Sequence, residues 1–305
     1  MTVSRQKIHE DGPEFSRLAW GAWRLESDPD AADPAKLADK LEALIELGIT
    51  TIDHADIYGG YACEAIFGAA LKARPGLKSR IELVTKAGVA LVKPARPNHV
   101  VKHYNTSKAH LVASCERSLT NLGVDAVDLY LIHRPDPLMD ADEAAEALTK
   151  LRDDGKIKSA GVSNFTPFQF DLLQSRLSFP LVTNQVEHSV LHLAPLHDGT
   201  FDHCQQHRVS PMVWSPLGRA ALFGETGERH ERLRKVLEEI AGQTDAADIA
   251  QVALAFILRH PSRPVPVLGS GKFERLQSMA RADTIALDRQ QWFRIWEASN
   301  GAPVP

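Results

Sequence analysis

Residues 50–133 contain three short β-like segments that each end in a polar side chain, namely TTID at 50–53, IELVTK at 81–86 and VDLYLIH at 127–133. Asp53, Lys86 and His133 close these segments, and Tyr58 follows the first of them. The carboxyl ends of parallel strands converge on one face of a barrel, where active sites are built. The sequence therefore predicts that a carboxylate, a phenol, an ammonium and an imidazole meet in one pocket.

The rest of the chain alternates strand-like and helix-like segments, which predicts a parallel sheet. Eight strands are predicted, at residues 15–20, 50–53, 81–86, 127–133, 157–162, 181–185, 211–214 and 265–268. Apolar residues at helical spacing predict helices at 35–47, 63–71, 107–122, 141–153, 201–207, 249–258, 275–281 and 290–298. A further helix is predicted to end at 175, after a cap at Asn164 or Thr166. Eight such units favour one (β/α)8 TIM barrel, and an open doubly wound sheet is the alternative.

We expect a single domain over residues 1–305, because no repeat, low-complexity tract or Pro/Ser-rich linker marks a boundary. The last predicted helix is an extra C-terminal element. Longer connections at 88–106 and 218–231 and a tail at 301–305 interrupt the regular alternation. Long loops in compact domains are usually lids or binding loops, so we expect long loops over the barrel mouth.

The composition is that of a globular protein and argues against several functional classes. Hydrophobic residues make up 44% of the chain and charged residues 24%, and the net charge of −4 comes without a basic block. Neither an apolar N-terminal run nor a stretch near the roughly 18 apolar residues of a membrane span occurs. Cys63, Cys115 and Cys204 are odd in number and widely spaced. We therefore expect a reduced, cytoplasmic protein without membrane or nucleic-acid partners.

The four polar residues have the chemistry of a proton donor. A free phenol has a pKa near ~10, and a nearby ammonium lowers it. Lys86 is placed to supply that charge, Asp53 to hold Lys86 by an ion pair, and His133 to align a carbonyl oxygen. Such a site would protonate the alkoxide that forms when hydride reaches a carbonyl. The alternative is a buried structural pair of Asp53 and Lys86, with Tyr58 packed on a helix.

The sequence around these residues resembles the aldo-keto reductase family. The shared motifs are IDHADIYG at 52–59, VTK at 84–86 and LIHRP at 131–135. DIYGGY at 56–61 and HRPDP at 133–137 resemble the bacterial YdhF-type oxidoreductases in particular. The resemblance implies a (β/α)8 barrel and a nicotinamide cofactor, usually NADPH/NADP+, with NADH as the alternative. It also implies a catalytic set of Asp53, Tyr58, Lys86 and His133, in which Tyr58 is the general acid.

The resemblance also implies the residues of an extended cofactor site. The nicotinamide and pyrophosphate would lie against Gly21, Ala22, Trp23, Asp53, Ser163, Asn164, Gln185, Trp214, Ser215, Leu217, Gly218 and Arg219. The adenosine 2′-phosphate would lie against Gly269, Ser270, Gly271, Lys272 and Arg275. A serine, a glycine turn and two cations beside a helix N-terminus form an anion site on physical grounds as well. Ser278 and Met279 stand where many relatives have Glu and Asn for the adenine, and His54 replaces the usual Thr or Ser.

The substrate site is predicted above the nicotinamide, at Trp23, Tyr58, His133 and Tyr104, with His103 and Arg134 as weaker candidates. These residues indicate aldehydes or ketones as a class and do not select one compound. No catalytic metal is predicted. The histidine pairs His99/His103 and His203/His207 each have a spacing of four but lack the glutamate of an HExxH motif. No GxGxxG follows a strand, which argues against a Rossmann-type site.

Two functional hypotheses follow from these residues. The first is an NADPH-dependent carbonyl reductase that transfers hydride from the nicotinamide and protonates the product through Tyr58. The second is a binding protein that senses the cofactor with little turnover. The intact set of four polar residues favours the enzyme, because a sensor needs no proton donor. The sequence makes no prediction of oligomeric state.

Overall fold

Eight parallel strands form a closed barrel in this structure, a computed structural model that describes residues 2–94 and 96–305. The strands in this part of the chain are β1 (Arg5–Lys7), β2 (Glu14–Ser16), β3 (Ala19–Gly21), β4 (Thr51–Asp53), β5 (Glu82–Ala87), β6 (Val89–Ala90), β7 (His103–Tyr104), β8 (Val127–Ile132), β9 (Ile157–Ser163), β10 (Leu181–Glu187), β11 (Met212–Trp214) and β12 (Val265–Leu268). The barrel order is β3-β4-β5-β8-β9-β10-β11-β12, and β12 pairs with β3 to close the ring. The predicted barrel is therefore confirmed, and the open sheet is wrong.

Helices surround the barrel and connect successive strands. Their bounds are α1 (Pro34–Glu46), α2 (Cys63–Ala73), α3 (Lys108–Leu122), α4 (Ala141–Asp153), α5 (Pro167–Gln174), α6 (Thr200–Gln206), α7 (Ala221–Gly224), α8 (Glu228–Ala241), α9 (Ile249–Leu258), α10 (Phe273–Ala280) and α11 (Arg289–Asn300). The helix starts follow from side-chain caps. For example, the Ser107 side chain accepts from the His110 amide, and a capping box joins Asp288 and Gln291. The extra C-terminal helix α11 packs against α8.

Several predicted boundaries differ from the structure. The segment 15–20 is two strands, because the chain turns at Arg17, whose guanidinium pairs with Asp283 at 2.9 Å. Thr166, and not Asn164, caps α5 through a capping box with Gln169. Helix α8 begins inside the predicted connection 218–231. The sequence did not indicate this helix, because its narrow apolar stripe is a weak signal.

A two-stranded hairpin covers the end of the barrel opposite the carboxyl ends of its strands. Strands β1 and β2 pair in antiparallel, and Ile8 and Phe15 of this hairpin are fully buried against the barrel interior. The amide of Ser16 donates to the Thr51 side chain, and the amide of Ser210 donates to the Ile8 carbonyl. This end of the barrel is therefore a packed core, and a large cavity lies at the other end.

Short elements interrupt the predicted long loops at the open end. The connection 88–106 contains the antiparallel pair of β6 and β7.

Behind the first strands, α2 approaches α3 so closely that a Cβ on Gly68 would lie 2.0 Å from the carbonyl oxygen of Asn121. The cysteines are buried and free. In the part of the chain that the structure describes, no helix is both long and apolar enough to span a lipid bilayer.

Candidate active site

Lys86 lies at the centre of the polar residues predicted from the strand ends. Its fully buried Nζ is 2.7 Å from Asp53 Oδ2 and 3.1 Å from the hydroxyl oxygen of Tyr58. It also donates to the backbone carbonyl of His54 at 2.7 Å. An ammonium has three donors and no acceptor, so these three contacts use all of its hydrogen-bonding capacity.

Asp53 is held from two sides at the end of β4. Its Oδ2 pairs with Lys86, and its Oδ1 accepts from the side-chain amide of Gln185 at 2.8 Å. Gln185 comes from β10 on the far side of the barrel. The Asp53 carboxylate is therefore fixed across the barrel, and sequence reasoning, which assigned Gln185 only to the cofactor, missed this contact.

Burial has the largest effect on the acid–base properties of this group. It raises the pKa of Tyr58 above the usual 10.0, although the charge of Lys86 acts in the opposite direction. Burial also opposes the charged form of Lys86, but Asp53 and Tyr58 outweigh it and raise the pKa of the ammonium. The predicted effect of Lys86, which lowers the pKa of Tyr58, is present, but desolvation exceeds it and leaves the pKa of the phenol above its usual value. At neutral pH the site therefore holds a protonated phenol beside a charged ammonium.

His133 follows the end of β8 and faces Tyr58. The two ring centroids are 6.1 Å apart and the planes are nearly perpendicular. Burial, with the positive charges of Lys86, Arg134 and Lys102, holds the pKa of His133 well below its usual value. Its Nδ1 is buried and has no hydrogen-bond partner. A neutral imidazole of this kind can present one N–H to a carbonyl oxygen.

A cleft of about 1210 Å³ begins at these residues and runs across the barrel mouth. It is lined by Gly21, Trp23, Asp53, Tyr58, His133, Ser163, Asn164, Gln185, Trp214, Ser215, Leu217, Arg219, Gly269, Ser270, Gly271, Lys272 and Arg275, all of which the sequence predicted. Ser278 and Met279 lie at its far end. The predicted residues Ala22, Lys86, Gly218 and Tyr104 do not line it. Tyr104 instead pairs with Val89 in the loop hairpin, away from the cleft wall.

The half of the cleft beside Tyr58 has a polar floor and an aromatic wall. The Ser163 hydroxyl donates to the Gln185 carbonyl and accepts from the Asn164 amide, each at 2.8 Å. Asn164 Oδ1 accepts from the indole N–H of Trp214 at 2.9 Å. Arg134 and Arg219 each lie 5.3 Å from the Trp214 ring centroid. These contacts fix the indole as a flat surface on which a planar ring can stack.

The backbone of this half is unusual at several positions. Asn164, Ser215, Arg219 and Ala220 have positive φ between 52° and 73°. Non-glycine residues adopt this conformation rarely, and each costs on the order of 1–3 kcal/mol. Such conformations concentrate at ligand sites, so their position along one cleft wall supports a binding role for this segment.

The other half of the cleft contains an anion-binding arrangement. Lys272 is the N-cap residue of α10, and no side chain caps this helix start. The loop is tied from behind, because Trp20 Nε1 donates to the Ser270 carbonyl at 2.9 Å and Lys40 donates to the Gly271 carbonyl. No carboxylate in residues 2–94 or 96–305 forms an ion pair with Lys272 or Arg275. Helix amides and two cations without ion-pair partners fit a phosphate group.

The comparisons with known proteins agree with this fold and site. A family model described as the aldo/keto reductase family matches residues 17–300. The chain belongs to the aldo-keto reductase family. As a member of this family it is an NAD(P)H-dependent oxidoreductase that acts on carbonyl groups, and the residues along the cleft fit an extended nicotinamide dinucleotide.

Individual aldo-keto reductases and related oxidoreductases match nearly the whole chain. The chain is 51% identical to Oxidoreductase YdhF of Escherichia coli K12, over 99% of this chain and 100% of that protein. It is 46% identical to a 6-dehydroglucose reductase of Agrobacterium fabrum, over 96% and 97% of the two chains. A thermostable aldo-keto reductase solved with the inhibitor epalrestat has a TM-score of 0.81 and 28% identity, covering 97% of this chain and 99% of that one.

Sequence reasoning missed several residues of the cleft wall. These are Arg24, Pro216, Ala220, Phe223, Gly224, Asp248, Ile249, Ala250, Val267, Leu268 and Glu274, together with Arg134, which was only a weaker candidate. Arg24 follows Trp23, and its guanidinium lies 4.6 Å from the centroid of the Trp23 ring. A cation directly after an aromatic residue is a sequence signal that could have identified Arg24 as part of the cleft wall. Asp248 accepts from the Ser278 hydroxyl at 2.8 Å. That contact depends on the approach of α9 to α10, which no local pattern indicates.

Proposed function

We propose that this protein is an NADPH-dependent reductase of aldehydes or ketones, with Tyr58 as its general acid. The buried contact between the Tyr58 hydroxyl and Lys86, at the base of a cleft large enough for a dinucleotide, carries the proposal. A protonated phenol on a cleft wall is a proton source, and the ammonium beside it stabilises the phenolate that remains after transfer. We also propose that the protein acts in the cytoplasm and that residues 1–305 form a single functional domain.

The residues of the chain would act in a defined order around a bound carbonyl. A nicotinamide cofactor, when bound, supplies the hydride. The neutral His133 donates its N–H to the carbonyl oxygen and orients it. Tyr58 gives its proton to the same oxygen as negative charge develops there. Asp53 keeps Lys86 in place through an ion pair buried from solvent, where the interaction is little screened.

The preference for NADPH over NADH rests on the anion-binding half of the cleft. The adenosine 2′-phosphate is the chemical difference between the two nucleotides. Lys272 and Arg275 offer it two positive charges beside the N-terminus of α10. NADH has no phosphate at this position, so both cations would remain uncompensated when it binds.

Replacement of the phenol tests the catalytic role directly. We expect Tyr58→Phe to bind NADPH with unchanged affinity but to lose turnover by roughly 10²-fold or more, because only the proton donor is removed. Binding is measured by quenching of tryptophan fluorescence, and turnover by oxidation of NADPH with a panel of aldehydes and ketones.

The matched control is Tyr104→Phe, which removes a phenol outside the cleft wall. This variant should keep full turnover. Equal activity of Tyr58→Phe and the wild-type protein would remove Tyr58 from the role of general acid. Loss of activity in Tyr104→Phe would instead restore the loop tyrosine as a site residue.

Removal of both cations tests the nucleotide preference. Hydrogen bonds to charged groups are worth about 1.5–3 kcal/mol, so Lys272→Ala with Arg275→Ala should weaken NADPH by roughly 10²-fold. NADH binding should change little. The double variant Lys36→Ala with Arg289→Ala changes the net charge equally at exposed positions and serves as the control. An unchanged ratio of the two affinities would place the phosphate site elsewhere.

The substrate panel should include a sugar aldehyde. A relative with 46% identity is named 6-dehydroglucose reductase, so a hexose with an aldehyde at C6 is a reasonable first candidate. The competing hypothesis is a sensor that binds the cofactor with little turnover. Tight NADPH binding without turnover on the whole panel, together with a protein partner that binds only the cofactor-loaded form, would favour the sensor.

A further inference from the structure

Three potential metal ligands meet on the helical layer outside the barrel. Asp171 comes from α5, His203 lies within α6, and His207 is the residue that ends α6. Asp171 Oδ1 is 2.8 Å from His203 Nε2 and 3.1 Å from His207 Nε2. The three ligand atoms all lie within 4.8 Å of one another. Among residues 2–94 and 96–305, no other group of three such side chains converges in this way.

The hydrogen bonding of this cluster is incomplete. His203 Nε2 forms a hydrogen bond with Asp171, and the His203 side chain is buried. His207 Nε2 is also buried, but it has no hydrogen-bond partner in spite of its short distance to the same oxygen. Burying a polar nitrogen without a partner is costly. A cation between the three side chains would remove that cost by accepting the lone pair of His207 Nε2.

The type and spacing of the donors indicate zinc. Two imidazole nitrogens and one carboxylate oxygen are common Zn²⁺ ligands, at about 2.0–2.2 Å, which corresponds to roughly 3.3 Å between ligand atoms in a tetrahedral site. The distances from Asp171 Oδ1 to His203 Nε2 and His207 Nε2, 2.8 and 3.1 Å, are shorter than this spacing. Asp171 is half exposed, so water can supply a fourth ligand. The i, i+4 spacing places both histidines on one face of a helix.

We propose that Asp171, His203 and His207 bind one Zn²⁺ ion and that the ion joins α5 to α6. None of the three residues lines the catalytic cleft. The Phe170 ring packs against both imidazoles, at centroid distances of 4.9 and 5.5 Å, and restricts their movement. The ion therefore stabilises the outer layer of the barrel and takes no part in carbonyl reduction.

Zinc binding to the metal-stripped full-length protein tests the proposal. We expect one equivalent of Zn²⁺ to bind in competition with a chromophoric chelator and to remain bound through gel filtration. The ion should also raise the temperature of thermal unfolding, because it binds only the folded arrangement. Asp171→Asn and His207→Gln should each lower the zinc affinity by about tenfold or more, because each removes one of three protein ligands.

Control variants separate this site from weak surface binding. His103→Gln changes the other histidine pair, whose ring centroids are 5.4 Å apart in a loop, and it should retain the zinc of the wild-type protein. Asp171 and His207 are both partly exposed, so their variants should keep the far-ultraviolet circular dichroism of the parent. Failure of the wild-type protein to retain one equivalent overturns the proposal. Unchanged zinc affinity in both Asp171→Asn and His207→Gln overturns it equally.

Discussion

At the scale of single residues, two opposing effects set the pKa of Tyr58, the proposed general acid. Burial raises the pKa of Tyr58, and Lys86 partly offsets that rise.

His54, which replaces the usual Thr or Ser, adds nothing through its ring nitrogens, since both are buried without partners. Its contribution is the backbone carbonyl that accepts from Lys86. The ring itself packs edge-on against Phe67 at 4.5 Å, which gives this residue a structural role.

These pKa directions predict the pH dependence of reduction. In the proposed mechanism protonated Tyr58 is the active form, so kcat should stay level through neutral pH and fall only as pH rises through a pKa above 10.0. His133 has a pKa well below 6.5, so no loss should appear as pH falls from 7.5 to 6.5. The measurement is kcat at saturating NADPH, from pH 6.5 to pH values above the pKa of Tyr58. NADPH binding at each pH is the control. A midpoint between pH 7 and 9 would contradict the assignment.

At the scale of elements, α2 packs closely against α3 just after the segment that carries Tyr58. Helix α2 begins at Cys63, shortly after Tyr58, and Gly68 in its middle touches the backbone of Asn121. A backbone carbonyl cannot rotate away as a side chain can. Any added methyl group must therefore push the two helices apart.

Gly68→Ala should consequently destabilise the fold. Overpacking costs about 1–3 kcal/mol in typical cores, and we expect the free energy of unfolding in urea to fall by that amount or more. Gly76→Ala is the matched control, because a Cβ at Gly76 meets no atom within 4 Å. Equal stability of the two variants would show that the helices separate at little cost.

At the scale of the whole molecule, several buried or partly buried histidines are kept neutral. Burial lowers the pKa of both His54 and His188 to about 3, and that of His110 and His260 to about 4. The unfolded chain binds these protons near pH 6.5, whereas the native protein does not. This contribution to stability is present above pH 6.5 and is lost as pH falls toward the native values. Asp56 and Glu64, whose pKa values burial raises, act in the opposite direction.

A single variant isolates one of these histidines. His188 packs edge-on against Phe201 at 5.0 Å, so His188→Leu should keep the packing and remove the titration. Between pH 6 and pH 4, the free energy of unfolding of the variant should fall less steeply than that of the wild type, by about 1.4 kcal/mol per pH unit. Urea unfolding at several pH values measures both slopes. Identical slopes would mean that His188 is protonated in the native state.

Features that depend on local patterns could be predicted from the sequence. The polar residues at or next to the ends of β4, β5 and β8 were identified because strand ends in a parallel barrel converge, and the helix bounds of α4 and α9 followed from their apolar spacing. Features that depend on distant contacts could not. The contact of Gln185 with Asp53 and the convergence of Asp171 with the α6 histidines link segments far apart in the chain.

The pairing of β3 with β12 also has a consequence in time. The other six barrel strands lie between these two in the chain, so β3 cannot pair with β12 until all of them have been made, and Ala19 pairs with Val267. Until β12 emerges, the nascent sheet has two unpaired edges, which are sites of aggregation. The hairpin of β1 and β2 precedes the barrel strands in the chain, so its apolar side chains have no complete barrel to cover until β12 is in place. Chain termination before β12 would therefore release an open sheet that is prone to aggregation rather than a smaller barrel.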